Sequence, residues 1–516
     1  MAGTPIYKEK VKSVRELNIK RVINNLTEPG ETLSQRAVRG GVWVFSLRIV
    51  QQLFNLGRLV ILARILAPHD FGLLGIALLT MATLETFSQT GFQQALIQKK
   101  EDIRSHLNAA WTVLILRGFI LFAILYLIAP YAAIFFNAPE AKPIIQVIGL
   151  SILLQAFTNI GVIYFQKELE FNKEFKYQFV GTLTDFIVAV SAILILRNVW
   201  ALVFGLLAGN AARCLVSYLI HPYRPHFSSD LGKAKELFGF GKWILGSSIL
   251  IFLLTHGDDI FVGKLLGATV LGFYQLAYRI SNMPATEITH VISQVSFPAY
   301  SKLQDNLPKL REAYLKVLQV TAFLSFPIAG LIFILAPEFT TIFLGEKWMP
   351  MVPAMMALCI FGVTRSIGAT MGSILYSIGR PKIQTKLSSI QLIAMAMIIY
   401  PLTIQWGILG TSLAVVIPNI LALILITIET KNIIEFRYKD VLMSIIGPIF
   451  AVFIMSFTIF LKNSFLPSLS NILNFFMLAV LCSIIYIGII YLWDKSTGYK
   501  IQHGIHGIFA NLGGRR

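Results

Sequence analysis

Segments of about 20 predominantly apolar residues, the length that carries a helix across a bilayer core, recur along this chain of 516 residues. They run over 41–66, 71–95, 106–136, 143–166, 176–197, 199–220, 240–266, 269–300, 314–345, 350–378, 384–405, 407–429, 441–461 and 470–493. The chain is 56% hydrophobic and only 14% charged, against roughly 25% charged in soluble domains. It reads as an all-α polytopic membrane protein of about 14 transmembrane helices. Several segments exceed a minimal span, which tilting or interfacial ends accommodate. Residues 1–38 are polar and basic, too long and too charged for the n-region of a signal peptide.

The net charge of +18 is distributed as topology and not as a nucleic-acid surface. Of the 44 lysines and arginines, 32 fall in the tails and loops on the side of the N-terminus. Five fall on the other side: Lys142, Arg197, Lys264, Lys347 and Lys462. By the positive-inside rule both termini of this multi-pass chain belong in the cytoplasm. The connectors are too short to hold a globular enzyme. There is no Walker A sequence, no Gly-x-Ser-x-Gly elbow and no metal-ligand spacing, so neither enzyme chemistry nor a cofactor is expected. Cys214, Cys359 and Cys482 sit inside apolar segments and read as small apolar residues.

An offset of 200 residues brings Gly41, Trp43, Ile49, Leu53, Gly57, Leu66, Gly72 and Ala77 onto Gly241, Trp243, Ile249, Leu253, Gly257, Leu266, Gly272 and Ala277. Trp200-Ala201-Leu202-Val203 is echoed by Trp406-Gly407-Ile408-Leu409. Spans 1–6 and 7–12 therefore read as two copies. An even number of spans per copy puts their pseudo-two-fold axis along the membrane normal. The expected organisation is a basic cytoplasmic tail (1–38), an N-lobe (39–220), a cytoplasmic linker (221–239), a C-lobe (240–430), two appended helices (431–493) and a cytoplasmic tail (494–516).

The first span is interrupted by Arg48, Gln51, Gln52, Asn55 and Arg58, which share an arc of about 120° on a helix. An arginine facing lipid at mid-membrane depth costs about 2.5–3.5 kcal/mol, so the stripe should face the bundle interior or a wet cavity. The eighth span repeats the pattern with Gln275, Arg279, Asn282, Glu287, His290 and Gln294. Arg117, Arg213 and Arg365 add single cations in other spans. Because guanidinium grips phosphate bidentately, Arg48, Arg58, Arg117, Arg213, Arg279 and Arg365 are candidates for an anionic cargo. Gln52, Asn55, Asn282 and His290 would line the same lumen. Glu85, Asp185, Asp258, Asp259 and Glu287 are candidates for coupling to a proton or sodium gradient. The structural alternative is a set of ion pairs that only lock helices together. Arg64 and Lys264 occupy equivalent positions near span ends, where snorkelling to lipid headgroups is expected.

The stretch Arg64-Ile65-Leu66-Ala67-Pro68-His69-Asp70-Phe71-Gly72 resembles the R-x-L-x-P-x-[DE]-[FY]-G turn of the Wzx-type polysaccharide flippases. These belong to the multidrug/oligosaccharidyl-lipid/polysaccharide (MOP) exporter superfamily. Gln166-Lys167-Glu168-Leu169-Glu170-Phe171 and the fourteen-span plan support the resemblance over residues 35–495, with the exopolysaccharide exporters as the nearest branch. The second copy, Gly263-Lys264-Leu265-Leu266-Gly267, lacks the proline and the acidic residue. The resemblance implies two lobes around a cationic cavity and alternating access. Its cargo would be an undecaprenyl-diphosphate-linked oligosaccharide, carried from inner to outer leaflet with its tail in membrane lipid. It also implies a polysaccharide polymerase and a chain-length regulator as partners, and no nucleic acid. A lipid II flippase shares these features. A drug antiporter of the same superfamily fits less well with six intramembrane arginines.

Overall fold

The computed structural model describes residues 33–89, 92, 96, 103–168, 170–228, 230–465 and 472–497. The basic tail up to residue 32 and the C-terminal tail from 498 lie outside that set. Among the described residues every regular element is helical. The N-terminal lobe comprises α1 (Leu33–Ile65), α2 (Pro68–Phe87), α3 (Arg104–Phe135), α4 (Ala141–Ile148), α5 (Leu150–Ala156), α6 (Ile163–Lys167), α7 (Phe171–Leu196) and α8 (Trp200–Ile220). The C-terminal lobe comprises α9 (Leu231–Leu266), α10 (Ala268–Leu303), α11 (Leu307–Ile334), α12 (Ala336–Phe339), α13 (Val352–Ser377) and α14 (Pro381–Ile434). Two further helices follow, α15 (Tyr438–Phe465) and α16 (Ile472–Thr497).

Among the described residues nine helices are long and apolar enough to cross a membrane, or ten if the bent run of α4–α5 with α6, turned by 68°, is one span. The 54-residue α14 is two helices joined at Gly407, whose φ of 58° breaks the helical path. Helices α1, α9 and α10, of 33, 36 and 36 residues, are also long enough but stand outside the nine. All three carry charged or polar residues within their apolar runs.

Packing repeats between the lobes. Helix α1 lies on α7 and α9 lies on α14, while α2 packs on α4 and α10 on α13. The lobes meet where α2 crosses α10. Gly72 and Gly272 make that crossing possible. A Cβ on Gly72 would land on the Ala268 carbonyl oxygen, and one on Gly272 would land on the Pro68 carbonyl oxygen. These contacts are related by the 200-residue repeat, so the pseudo-axis passes between them. One apolar core runs through both lobes, joining Ile76 and Ala77 of α2 to Leu271, Tyr274 and Ala277 of α10, with Met355 and Leu358 of α13. Helices α15 and α16 add a separate core, in which Met455, Cys482 and Tyr486 pack beside Leu335. The Tyr486 hydroxyl donates to the Phe323 carbonyl at 3.1 Å. Outward-facing Ile195, Leu219, Phe453 and Leu473 are exposed, as a lipid-facing belt requires. Cys359 and Cys482 are buried and all three cysteines are unbridged.

The turn between α1 and α2 closes one end of the bundle. Pro68 opens α2 with its fixed φ, and Asp70 Oδ2 accepts from the Ala67 amide at 3.1 Å, satisfying a helix-start donor. Phe71 packs edge-to-face on Trp348 at 5.1 Å, and the Trp348 indole donates to the Ala63 carbonyl at 2.9 Å. Arg64 and Lys264 depart from the expected snorkelling. Arg64 donates to the carbonyls of Thr341 and Ile342, and Lys264 donates to the Phe135 carbonyl at 2.7 Å. Each cation seals the carbonyl end of a helical run in the opposite lobe, where the helix dipole favours positive charge. His69 also crosses the lobe boundary, with Nε2 2.9 Å from Glu140 Oε2 and Nδ1 3.3 Å from the Thr269 hydroxyl.

Candidate functional site

The polar stripes of α1 and α10 converge on a small cavity of about 180 Å³ between the lobes, lined by Asn55, Arg58, Gln275 and Arg279. Gln275 reaches it by lying over Gly75, where a Cβ would overlap its amide oxygen. Arg58 Nη1 is 3.0 Å from Asp185 Oδ2 on α7, and both side chains are 16% exposed. Arg58 Nη2 also donates to the Leu202 carbonyl at 3.4 Å. Arg213 of α8 donates to Asn210 Oδ1 at 2.9 Å and packs over Gly181. Arg58, Arg213 and Arg279 all lie within electrostatic reach of Asp185. Of the three, Arg58 makes the direct ion pair. Arg58 Nε, Arg213 Nε and Asp185 Oδ1 are buried without a hydrogen-bond partner among the described residues. Buried polar atoms of this kind are normally satisfied by water or a ligand.

The other predicted residues are placed elsewhere. Gln52 and Arg48 are half-buried on α1, about one and two turns from this cavity. Arg117 takes the carbonyl end of α2: its Nε donates to the Ser88 carbonyl at 2.9 Å, and its Nη2 donates to the Ser88 hydroxyl at 2.9 Å and the Glu85 carbonyl at 3.1 Å. With Glu85, Gln89, Glu174 and Gln178 it lines an N-lobe cavity of about 620 Å³. Arg365 lies over the Phe361 ring at 5.9 Å and lines a C-lobe cavity of about 670 Å³.

Asp258 and Asp259 are both buried in the C-lobe. Asp258 Oδ2 accepts from the Tyr274 hydroxyl at 2.6 Å, and Asp259 Oδ2 lies 3.4 Å from His256 Nδ1. Asn282 is buried, donating to the Tyr278 carbonyl at 3.2 Å. The side chains of Glu287 and His290 lie outside the described residues, although their backbone belongs to α10.

Periodicity alone did not single out Tyr274, or the amides of Gln384, Gln391 and Asn419 in the C-lobe cavity. Gln384 and Gln391 are seven residues apart on one helix face, a signal that was present in the sequence.

This two-lobed helical fold is shared with solved membrane transporters. The solved lipid II flippase MurJ in its inward closed conformation superposes with a TM-score of 0.73 at 14% identity, covering 88% of this chain and 99% of that one. An inward-facing multidrug resistance MATE transporter superposes with a TM-score of 0.61 at 17% identity, covering 75% and 94%. Residues 61–353 match the polysaccharide biosynthesis protein family, and the chain belongs to it. Its relatives include the lipopolysaccharide biosynthesis protein WzxC of Escherichia coli (strain K12), 29% identical over 361 residues covering 69% of this chain and 73% of that one. The teichuronic acid biosynthesis protein TuaB of Bacillus subtilis (strain 168) is 28% identical over 292 residues, covering 56% and 60%. The chain is thus a multi-pass membrane protein of the polysaccharide biosynthesis protein family, with the fold of these membrane transporters.

Proposed function

We propose that this chain turns an undecaprenyl-diphosphate-linked oligosaccharide from the inner to the outer leaflet of the bacterial plasma membrane. The observation that carries the reading is the convergence of Arg58 from one lobe and Arg279 from the other on a single cavity, with Asp185 as the nearby carboxylate. A diphosphate is the part of such a cargo that must leave the headgroup layer, and guanidinium holds phosphate oxygens in pairs without losing its own charge. A site drawn from both lobes is remade whenever the lobes rock, as alternating access requires.

The positive-inside charge pattern assigns both termini to the cytoplasm, with the N-lobe at 39–220 and the C-lobe at 240–430. On that assignment the end sealed by Gly72, Gly272, Arg64 and Lys264 faces outward, so the described conformation is closed to the outside. Asp258 and Asp259, buried in the C-lobe beside the α9–α10 packing, are the coupling residues for a proton or sodium ion. The flipped product would pass to a polysaccharide polymerase and its chain-length regulator.

The test compares lipid-linked oligosaccharide on each leaflet in cells with the wild-type chain, with none, and with Arg58→Gln/Arg279→Gln. The reading expects outer-leaflet substrate only with the wild type, and accumulation inside in the other two. Wild-type export by the double variant would remove the cationic path, and an unchanged distribution on deletion would remove the cargo.

A further inference from the structure

The C-lobe cavity is chemically unlike the arginine centre. It opens between α9, α10, α13 and α14, and the small residues Gly368, Ala369 and Gly372 of α13 leave its volume of about 670 Å³. That is within the range of pockets that take small organic ligands, about 300–1,000 Å³. Among the described residues no aspartate or glutamate lines it, and Arg365 is its one cation. Arg365 is exposed to the cavity and rests against an aromatic ring, which leaves its planar edge available.

Around it stand neutral donors and acceptors. Asn419 Nδ2 donates to the Thr364 hydroxyl at 2.6 Å, and Gln391 Nε2 donates to Asn419 Oδ1 at 3.4 Å. Gln384 Oε1 is buried with no partner among the described residues. An amide oxygen in that state has its acceptor capacity unused. Tyr376 supplies an exposed aromatic face at the same wall.

We propose that this cavity is the subsite for a carboxylate-bearing sugar of the cargo, with Arg365 gripping the carboxylate and Gln384, Gln391 and Asn419 reading its hydroxyls. The inference rests on the oligosaccharide reading above and adds a sugar class to it. A neutral sugar would use the amides and leave the arginine unused, whereas a diphosphate would leave the amides unused. A uronic-acid-type residue uses both sets, since guanidinium matches a carboxylate bidentately. Phosphate and sugar would then be held at separate cavities.

The full chain in lipid nanodiscs is titrated with three probes: a disaccharide containing a uronic acid, its neutral counterpart, and inorganic pyrophosphate. The wild type is expected to bind the acidic disaccharide at least tenfold tighter than the neutral one. Arg365→Gln should abolish that preference, Arg365→Lys should restore only part of it, and both should bind pyrophosphate as the wild type does. Gln391→Leu should weaken both sugars equally. Equal binding of the two disaccharides by the wild type, no binding of either, or a preference retained in Arg365→Gln would overturn the assignment. Pyrophosphate separates the two readings: its binding with no sugar preference defeats this inference alone, whereas its failure to bind the wild type counts against the arginine centre.

Discussion

At equivalent positions the two lobes carry opposite chemistry. Offset by 200 residues, Arg58 corresponds to Asp258, Leu74 to Tyr274, and Gly75 to Gln275. In the N-lobe the arginine takes a carboxylate from α7, and a third and fourth charge gather around that pair. In the C-lobe the aspartate takes a neutral phenol from α10, one element away in the chain. Gly57 packs against Phe186 and Gly257 against Met395, so the same helix contacts are kept while the charges are not. The repeat preserved its backbone crossings and diverged in its polar side chains. An anionic cargo and a cation gradient need opposite electrostatics, and two copies of one scaffold can supply both.

The largest effect should come from the N-lobe pair. Asp185→Asn leaves Arg58 partly buried without its counter-charge, and breaking a buried pair costs about 3–5 kcal/mol. Thermal unfolding in nanodiscs should show that loss, while Asp258→Asn, which keeps an acceptor for Tyr274, should cost well under half as much. Similar losses from the two substitutions would erase the contrast between the lobes. The reverse order would mean that the C-lobe carboxylate is the structural one.

The symmetric crossing gives the next test. Gly72→Leu and Gly272→Leu each press a side chain into the other lobe's backbone, and overpacking costs about 1–3 kcal/mol, occasionally more. Both should loosen the same end of the bundle to the same extent. The readout is modification of a cysteine at Leu276, beside the central cavity, by an impermeant reagent applied outside intact cells. Reaction in only one of the two glycine variants would show that the axis between the lobes is broken there.

A smaller effect concerns how each lobe ends. His221 follows α8, stacked on Tyr164 with ring centroids 5.7 Å apart, and its Nδ1 accepts from the Tyr223 amide at 3.1 Å. Burial, and next the positive charge of Lys173, lower its pKa. The unfolded chain therefore binds a proton more readily than the folded one. Stability from this group is full above about pH 6.5, the ordinary histidine value, and declines as pH falls below it towards the lowered folded value. The C-lobe ends differently: Arg311 donates to the Ile434 carbonyl at 2.9 Å and lies 3.7 Å from Glu435. Mild acid should expose the α8 end to amide hydrogen exchange before the α14 end, by a few-fold. His221→Asn should remove the difference, and simultaneous loosening of both ends would show that the histidine does not govern it.

Much of the architecture was legible in the chain. Spans of bilayer length follow from an apolar run that must satisfy its backbone internally, and the two copies follow from matched glycines and tryptophans. The stripe of α1 was legible for the same reason: lipid excludes charge, so a helical arc of polar residues points inward. The partners of those residues were not legible. Nothing local tells Arg58 that Asp185 will face it, or Arg117 that it will cap α2. Arg64 and Lys264 looked like headgroup anchors because the carbonyls they reach lie far along the chain in the other lobe.

The sequence by itself determined a helical membrane protein, its repeat and which faces are polar, because these depend on hydropathy and spacing along the chain. Only the tertiary structure decided that Gly72 meets the backbone at Ala268, that Arg58 pairs with Asp185, and that an amide-lined cavity stands apart from them. Those pairings are contacts between distant segments. Their energies depend on distance and on exclusion of water, and neither exists until the lobes have packed.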